Sequence, residues 1–172
     1  MPEDRKQSEL QQTAPERAPA QGARDFDRPT VLQLRVARPV TDLQRTTEMY
    51  CRGLRLRVLG SFLDHDGFDG VMIGSSAAGY HFEFTHSRQH PVAPRATPED
   101  LLVFYYPSES QWRLACDQME AAGFKVVDSF NPYWNARGRT YQDADGYRIV
   151  LHHGVWVPGA SSAALSFGKA NQ

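Results

Sequence analysis

The stretches GYHFEFTH (residues 79–86) and GYRIVLHH (residues 146–153) decide the fold, because they repeat one pattern. Each begins with Gly-Tyr, continues with alternating side chains and ends in His. Alternation with a period of two predicts a half-buried β-strand. Pro39 and Pro107 recur at almost the same spacing as the two Gly-Tyr pairs. The sequence therefore predicts an internal duplication of a compact unit.

Each half of the chain has the pattern of a strand, a helix and three further strands. Asp42 is a candidate N-cap for the first helix, and Ser108 begins a Ser-x-x-Gln capping box before the second. The strand-like runs are 31–37, 54–60, 70–74 and 80–85 in the first half, and 101–106, 124–130, 139–143 and 147–154 in the second. A turn rich in Asp and Gly is expected over residues 64–70. The predicted class is α+β, and the sheet faces without a helix must either pack together or line a shared concave space.

Composition divides the chain into one domain and two tails. The first residues are rich in Pro, Gln, Ala and charge, which cannot offset the entropy of ordering. We expect a disordered tail at 1–29, a folded domain at 30–157 with modules 30–86 and 101–157 joined by a linker at 87–100, and a flexible tail at 158–172.

Charge and hydropathy exclude several classes of protein. The net charge is −1, so no basic field favours nucleic acid or an anionic membrane. No apolar run approaches the roughly 18–20 residues that span a bilayer. The N-terminal residues hold no apolar stretch typical of a signal peptide. We expect a cytoplasmic protein without nucleic-acid or membrane partners.

Four segments resemble the vicinal oxygen chelate superfamily, which includes glyoxalases, extradiol dioxygenases and bleomycin-resistance proteins. They are RVARPVTDL (35–43), MYCRGL (49–54), YHFEFT (80–85) and GRTYQDADGYRIVL (138–151). In the last segment Ala144 stands where the superfamily usually has proline. The chain is most similar to the YycE-like branch, which shares the VARP and NPYW segments. The resemblance implies two βαβββ modules that form a cupped mixed sheet around one cavity.

Metal-using members of the superfamily hold a divalent ion with His and Glu on the concave face. The resemblance places their four ligand positions at Arg35, Glu83, Leu101 and Val150. Glu83 matches, but a guanidinium has no lone pair to donate, and the other two side chains have no donor atom. We therefore expect no metal at the usual positions and predict no cofactor.

A rearranged metal site is the alternative. His81 and Glu83 share one face of their strand, and His152 faces the same way as Val150 in the matching strand. His81, Glu83 and His152 could meet across the cavity as two histidines and one carboxylate, a set that binds non-haem iron. The chain would then be a metal-dependent lyase, isomerase or dioxygenase. Otherwise both histidines line the wall of the pocket or act as hydrogen-bond partners.

The resemblance also predicts that Arg35 and Glu83 point at each other. The pair would be a buried structural ion pair, or an anchor where Arg35 binds a carboxylate or enolate that Glu83 orients. Glu83 as a catalytic base is a further possibility, although desolvation and the neighbouring guanidinium act on its pKa in opposite directions.

Strand parity and one aromatic loop supply the other candidate ligand-binding residues. Gln33, Tyr105 and Arg148 are predicted to face the cavity, and Trp134 lies in the NPYW loop beside its mouth. Tyr105 could instead pack at a sheet edge, and the loop aromatics could form only a local cluster. The favoured function is metal-independent binding of a small organic molecule. We also expect a homodimer, because an open cupped sheet leaves edge strands that need covering.

Overall fold

Each half of the chain forms one strand, one helix and three further strands, as the repeat predicts. The computed structural model describes residues 33–157. The first module contains β1 (Leu34–Pro39), α1 (Leu43–Gly53), β2 (Arg57–His65), β3 (Phe68–Gly74) and β4 (Tyr80–Ser87). The second contains β5 (Leu101–Tyr106), α2 (Glu109–Ala121), β6 (Lys125–Val127), a 3₁₀ turn (Pro132–Asn135), β7 (Gly138–Gln142) and β8 (Arg148–His153). The predicted α+β fold of two βαβββ modules is confirmed.

The strands form two four-stranded mixed sheets with the same strand order, β1-β4-β3-β2 and β5-β8-β7-β6. The Gly-Tyr strands β4 and β8 occupy matching places. Each runs parallel to the first strand of its module and antiparallel to the third. The two repeated stretches are therefore alike because they are equivalent interior strands of duplicated sheets.

Both helices begin where the sequence places their N-caps. The Asp42 carboxylate accepts a hydrogen bond from the backbone N–H of Arg45 at 2.9 Å. The Ser108 hydroxyl accepts from the backbone N–H of Gln111 at 3.4 Å. Each cap satisfies a backbone donor that the first helical turn leaves without an intrahelical partner, and this favours a helix start at that residue.

The two modules share one core, built from the sheet faces that the helices cover. The Tyr50 ring of α1 lies 4.6 Å from the ring of Phe84 and 6.0 Å from that of Phe82. Across the module boundary, Tyr50 lies 5.4 Å from Phe124, and Phe82 lies 6.4 Å from Phe104. The opposite face of each sheet, called the outer face below, carries the side chains of the other strand parity.

A buried aspartate in the turn before β8 also joins the modules. The Oδ2 atom of Asp143 accepts from the hydroxyl of Tyr50 at 2.9 Å, and Oδ1 accepts from the backbone N–H groups of Asp145 and Tyr147. The Tyr147 hydroxyl donates to the carbonyl of Pro39 at 3.0 Å. Because these bonds connect α1 and β1 with the Asp-Ala-Asp-Gly turn, they position one module on the other.

The predicted strand at 54–60 and the predicted turn at 64–70 were wrong in their bounds. Arg55 has a left-handed backbone with φ 55°, so β2 starts only after it. The strand then continues to His65, and only Asp66 and Gly67 separate it from β3. Their φ values are 49° and 79°, which is the backbone that a two-residue hairpin turn requires. The Asp-Gly pair marks a tight hairpin here, where a longer loop was expected.

The tails predicted at 1–29 and 158–172 lie outside the described residues. Between β4 and β5, residues 88–100 form no helix or strand. Over residues 33–157, no helix is both long and apolar enough to cross a membrane.

Candidate functional site

A polar group of three side chains occupies the outer face of the first module. Arg35 on β1 is the register partner of His81 on β4, and Glu83 follows on the same face two residues later. The Nε–H group of Arg35 donates to Nε2 of His81 at 2.9 Å. The NH1 group of Arg35 donates to Oε2 of Glu83 at 3.2 Å. The predicted contact between Arg35 and Glu83 is therefore present, and His81 joins it as a hydrogen-bond partner, one of the roles that the sequence left open for this residue.

The three side chains differ in their access to solvent. The side chain of Arg35 is 52% exposed and that of Glu83 is 15% exposed, while His81 is 8% exposed as a residue. About half of the Arg35 side chain is therefore accessible to solvent, whereas its two acceptors, His81 and Glu83, are largely buried. Because Arg35 donates to Nε2, this nitrogen carries no proton, and the proton of a neutral His81 lies on Nδ1. The remaining N–H groups of Arg35 can donate to a ligand that binds on this face.

The donor atoms of one chain do not fit the metal site of the superfamily. The resemblance implies two of its positions at Leu101 and Val150, which have no donor atoms, and Val150 is fully buried. Arg35 holds a third position, and its guanidinium is hydrogen-bonded to Glu83 at the fourth and to the neighbouring His81. Within residues 33–157, no group of three or more His, Cys, Asp or Glu side chains is close enough to hold a metal ion.

His152, the third ligand of the alternative metal set, lies on the other sheet. It belongs to β8, where the neighbouring His153 stacks on Trp112 of α2 and so marks the helix-covered face. His152 points to the outer face of the second module. No hydrogen bond, ion pair or ring contact among the described residues joins it to the polar group of the first module. The structure of a single chain thus does not bring His81, Glu83 and His152 together.

The ring of His152 is enclosed by three aromatic side chains, which we call the aromatic clamp: Tyr105, Tyr133 and Trp134. The ring centroid of Tyr105 lies 5.3 Å from that of His152. Tyr133 lies nearly parallel to the imidazole, at 6.3 Å and 9°, while Trp134 stands perpendicular to it, at 6.0 Å and 86°. Tyr105 and Trp134 were both predicted ligand-binding residues, and they lie together here.

Local backbone features hold the clamp against β8. The Asn131 side chain accepts from the backbone N–H of Tyr133 at 3.0 Å and caps the 3₁₀ turn. Gly138 lets this turn approach β8, because a Cβ atom there would lie 2.5 Å from the carbonyl of Trp134 and 3.2 Å from the Val150 side chain. A side chain at position 138 would displace the turn and, with it, two of the three clamp rings.

Burial keeps His152 neutral. Desolvation is the largest effect that lowers its pKa, and the charges of Arg137 and His153 lower the pKa further. His152 is 8% exposed, and its Nδ1 atom has no hydrogen-bond partner among the described residues. The clamp thus surrounds an imidazole whose lowered pKa favours the neutral form and whose Nδ1 atom has no partner among the described residues.

The remaining two candidates lie apart from both groups. Arg148 is on the outer face of β8 and donates from NH1 to the backbone carbonyl of Asp128 at 3.3 Å. Gln33 is exposed and precedes β1, so it is not part of the sheet face. The predicted site residues therefore divide into a polar group on the first module and an aromatic clamp on the second. Their roles as ligand-binding residues stay predictions.

Two matches to known domains cover both modules. Residues 34–85 match the YycE-like N-terminal domain, and residues 99–153 match the YycE-like C-terminal domain. The chain belongs to the YycE-like family. The two domains of the family correspond to the two βαβββ modules, and the predicted branch of the vicinal oxygen chelate superfamily is confirmed.

Known relatives of this YycE-like chain agree with that assignment. It is 39% identical over 127 residues to the uncharacterised protein YycE of Bacillus subtilis (strain 168), covering 74% of this chain and 91% of that protein. The crystal structure of Bacillus subtilis YycE, a protein of unknown function, has a TM-score of 0.70 and covers 75% of this chain and 94% of that one.

More distant structures share the fold. The trypanothione-dependent glyoxalase I of Leishmania major has a TM-score of 0.56 at 16% identity, covering 74% of this chain and 88% of that one. An antibiotic-binding protein from Streptomyces has a TM-score of 0.51 at 18% identity, covering 72% of this chain and 95% of that one. These similarities confirm the glyoxalase/bleomycin-resistance fold of the YycE-like chain.

Proposed function

We propose that this YycE-like chain binds a small organic molecule at the outer faces of its sheets, without a metal ion at the ligand positions of the superfamily. One observation carries the proposal. The guanidinium of Arg35 is hydrogen-bonded to both His81 and Glu83, the two side chains beside it on this face that could donate to a metal ion. A fixed organic cation thus takes the place that a divalent ion would need.

The polar group suits a ligand that accepts hydrogen bonds. Two of the N–H groups of Arg35 are directed at His81 and Glu83, and the guanidinium has five in all. The remaining donors and the exposed half of the side chain are available to a carbonyl, hydroxyl or carboxylate oxygen. Because the charges of Arg35 and Glu83 cancel, the group has little net charge at neutral pH, and a neutral polar ligand is favoured about as well as an anion.

The exposed aromatic surface of the second module supplies the apolar contacts that small-molecule sites usually have. Tyr133 is 63% exposed and Tyr105 is 37% exposed, so both rings can still cover a ligand. The Streptomyces antibiotic-binding protein shares the fold, which is consistent with a binding role for this chain.

We also propose a homodimer. The polar group and the aromatic clamp both lie on faces that the helices of the chain do not cover. Further apolar side chains at the β2 edge are exposed, among them Leu63 at 76% and Val58 at 50%. A second copy placed on these faces would bury them and would enclose the ligand. Light scattering of the purified chain tests this part of the proposal, since a monomer at micromolar concentration would contradict it.

A thermal-shift screen of small organic molecules on chelator-treated protein tests the binding function. We expect hits whose stabilisation is unchanged by EDTA, and for ligands of the first module this stabilisation should be reduced by both Arg35→Gln and Glu83→Gln. Stabilisation by divalent ions alone, or hits that disappear with EDTA, would contradict it. A hit that is consumed by the wild-type chain but only bound by Glu83→Gln would instead identify Glu83 as a catalytic base.

A further inference from the structure

The aromatic clamp has a shape that favours flat ligands. Tyr133 and His152 are parallel to within 9°, while Trp134 stands at 80° to one and 86° to the other. The clamp thus has two parallel walls and one perpendicular wall. The parallel centroids lie 6.3 Å apart, well beyond the roughly 3.5–4 Å of direct carbon contact, so the two rings do not cover each other fully.

The inner side of the clamp is buried, and its outer side is exposed to solvent. His152 is 8% exposed, whereas Tyr133 is 63% exposed on a single 3₁₀ turn. The Nδ1 atom of His152 is buried and has no hydrogen-bond partner within residues 33–157. Buried polar atoms are almost always paired, so the unpaired Nδ1 atom, which lies beside Gly154 at the end of β8, has hydrogen-bonding capacity that a ligand can use.

Charge decides which aromatic ligand fits. Enclosures of aromatic rings commonly hold organic cations, because the ring faces are negative. Here the charge of Arg137 acts on His152 and disfavours a second positive charge beside it. The backbone carbonyl of Arg137 accepts from the N–H of His153 at 2.7 Å, and the next residue, Gly138, is the register partner of His152, so the backbone of Arg137 lies beside the clamp. The local field therefore favours a neutral or anionic ring over a cation.

We propose that the clamp of Tyr105, Tyr133 and Trp134 around His152 binds a planar aromatic anion, such as an aryl carboxylate. The ring stacks on Tyr133 beside the imidazole, the acidic group points toward Arg137, and a polar atom of the ligand can pair with His152. This inference rests on the proposed small-molecule function and names the ligand class of the second module.

The test measures the binding of four probes of similar size to the full chain by titration calorimetry. They are 2-naphthoate, 2-naphthamide, 2-naphthylmethylammonium and decahydro-2-naphthoate. We expect naphthoate to bind best, naphthamide more weakly, and the ammonium and the saturated acid least. Equal affinities for all three naphthalenes, a preference for the cation, or no binding of naphthoate at millimolar concentration would overturn the proposal.

Two variants locate the bound probe. Tyr133→Leu should weaken naphthoate binding by about fivefold or more, the expected effect of losing one ring stack. Phe130→Leu is the matched control, because Phe130 is a 71% exposed aromatic of the same loop and should bind as wild type. Arg137→Gln should reduce naphthoate to the affinity of naphthamide and leave naphthamide unchanged.

The two proposals fail in different ways. If Arg35→Gln abolishes naphthoate binding and Tyr133→Leu does not change it, the ligand lies on the first module, and the clamp inference is wrong while the proposed function stands. If the thermal-shift screen finds only non-aromatic ligands, the same conclusion follows. If no organic molecule binds at all, the proposed function itself fails.

Discussion

The Nε–H group of Arg35 donates to Nε2 of His81 at 2.9 Å, and this contact gives the outer face of the first module its chemical character. It makes the imidazole an acceptor toward arginine and leaves its Nδ1 proton available. With the bond to Glu83, it connects β1 to β4 through a cation. Arg35 is thus hydrogen-bonded to the two side chains of this face that could donate to a metal ion.

Removal of the Arg35 cation should change binding far more than stability. Arg35 is half exposed, so its ion pair with Glu83 should contribute less than about 1 kcal/mol. We expect Arg35→Gln to unfold in urea within about 1 kcal/mol of wild type and to lose the thermal shift given by any ligand of the first module. Arg113→Gln, which breaks an exposed pair with Glu109, is the matched control and should retain the thermal shift. A large loss of stability in Arg35→Gln would instead show a structural role.

The Tyr50 hydroxyl should stabilise the contact between the modules. It is fully buried and donates to Asp143 at 2.9 Å. Burial, and then the charge of Asp143, raise the pKa of Tyr50 well above its usual value, so the hydroxyl keeps its proton. We expect Tyr50→Phe to cost about 2 kcal/mol in urea unfolding, because a buried carboxylate loses a donor. Tyr141→Phe should cost less, since that hydroxyl makes only long contacts of 3.3 and 3.4 Å. Equal costs would contradict this account.

Substitutions at Gly67 in the Asp66-Gly67 turn should destabilise the fold through backbone strain and not through steric clashes. Gly67 has φ +79°, and a Cβ atom there would meet nothing closer than 3.7 Å. We expect Gly67→Ala to lower the free energy of unfolding by about 1 kcal/mol, because alanine is strained at positive φ. Gly67→Asn should cost less, since asparagine tolerates this region. If both variants unfold like wild type, the hairpin does not have this backbone.

Acid should destabilise the fold through His152. Its pKa is lowered in the folded state, so the unfolded chain binds a proton more readily. The stabilisation is fully present above the ordinary histidine pKa of about 6.5 and is lost as the pH falls through the lower folded value. We expect His152→Gln to show a smaller loss of unfolding free energy between pH 7.5 and pH 5.5 than wild type. His90→Gln, at an exposed position, should follow the wild-type curve. An unchanged slope in His152→Gln would contradict the assignment.

Much of the fold could be predicted because its signals are local. The caps at Asp42 and Ser108 and the repeated Gly-Tyr strands depend on residues close in sequence. Parity also placed His81 and Glu83 on one face of their strand, where the observed register adds Arg35, which the resemblance had placed opposite Glu83. Parity likewise directed Tyr105 and His152 toward the predicted cavity. These inferences need only the two-residue period of a strand.

The relation between the two faces could not be predicted from parity. It depends on how Tyr50 packs against Phe124 across the boundary, a long-range contact that no local pattern contains. The position of Tyr133 over His152 likewise depends on the Asn131 cap and on the close approach at Gly138. The sequence predicted one cavity lined by all the candidate residues, whereas the structure places them in two separate groups.

Metal-independent binding is the central claim, and calorimetry on one preparation tests it most directly. The strongest organic ligand from the screen is titrated into the chain in EDTA, and then into chain reconstituted with iron, manganese, nickel or zinc. We expect the same dissociation constant, within about twofold, in every titration. An affinity that rises by about tenfold or more with a metal, equivalent to about 1.4 kcal/mol, would contradict the claim.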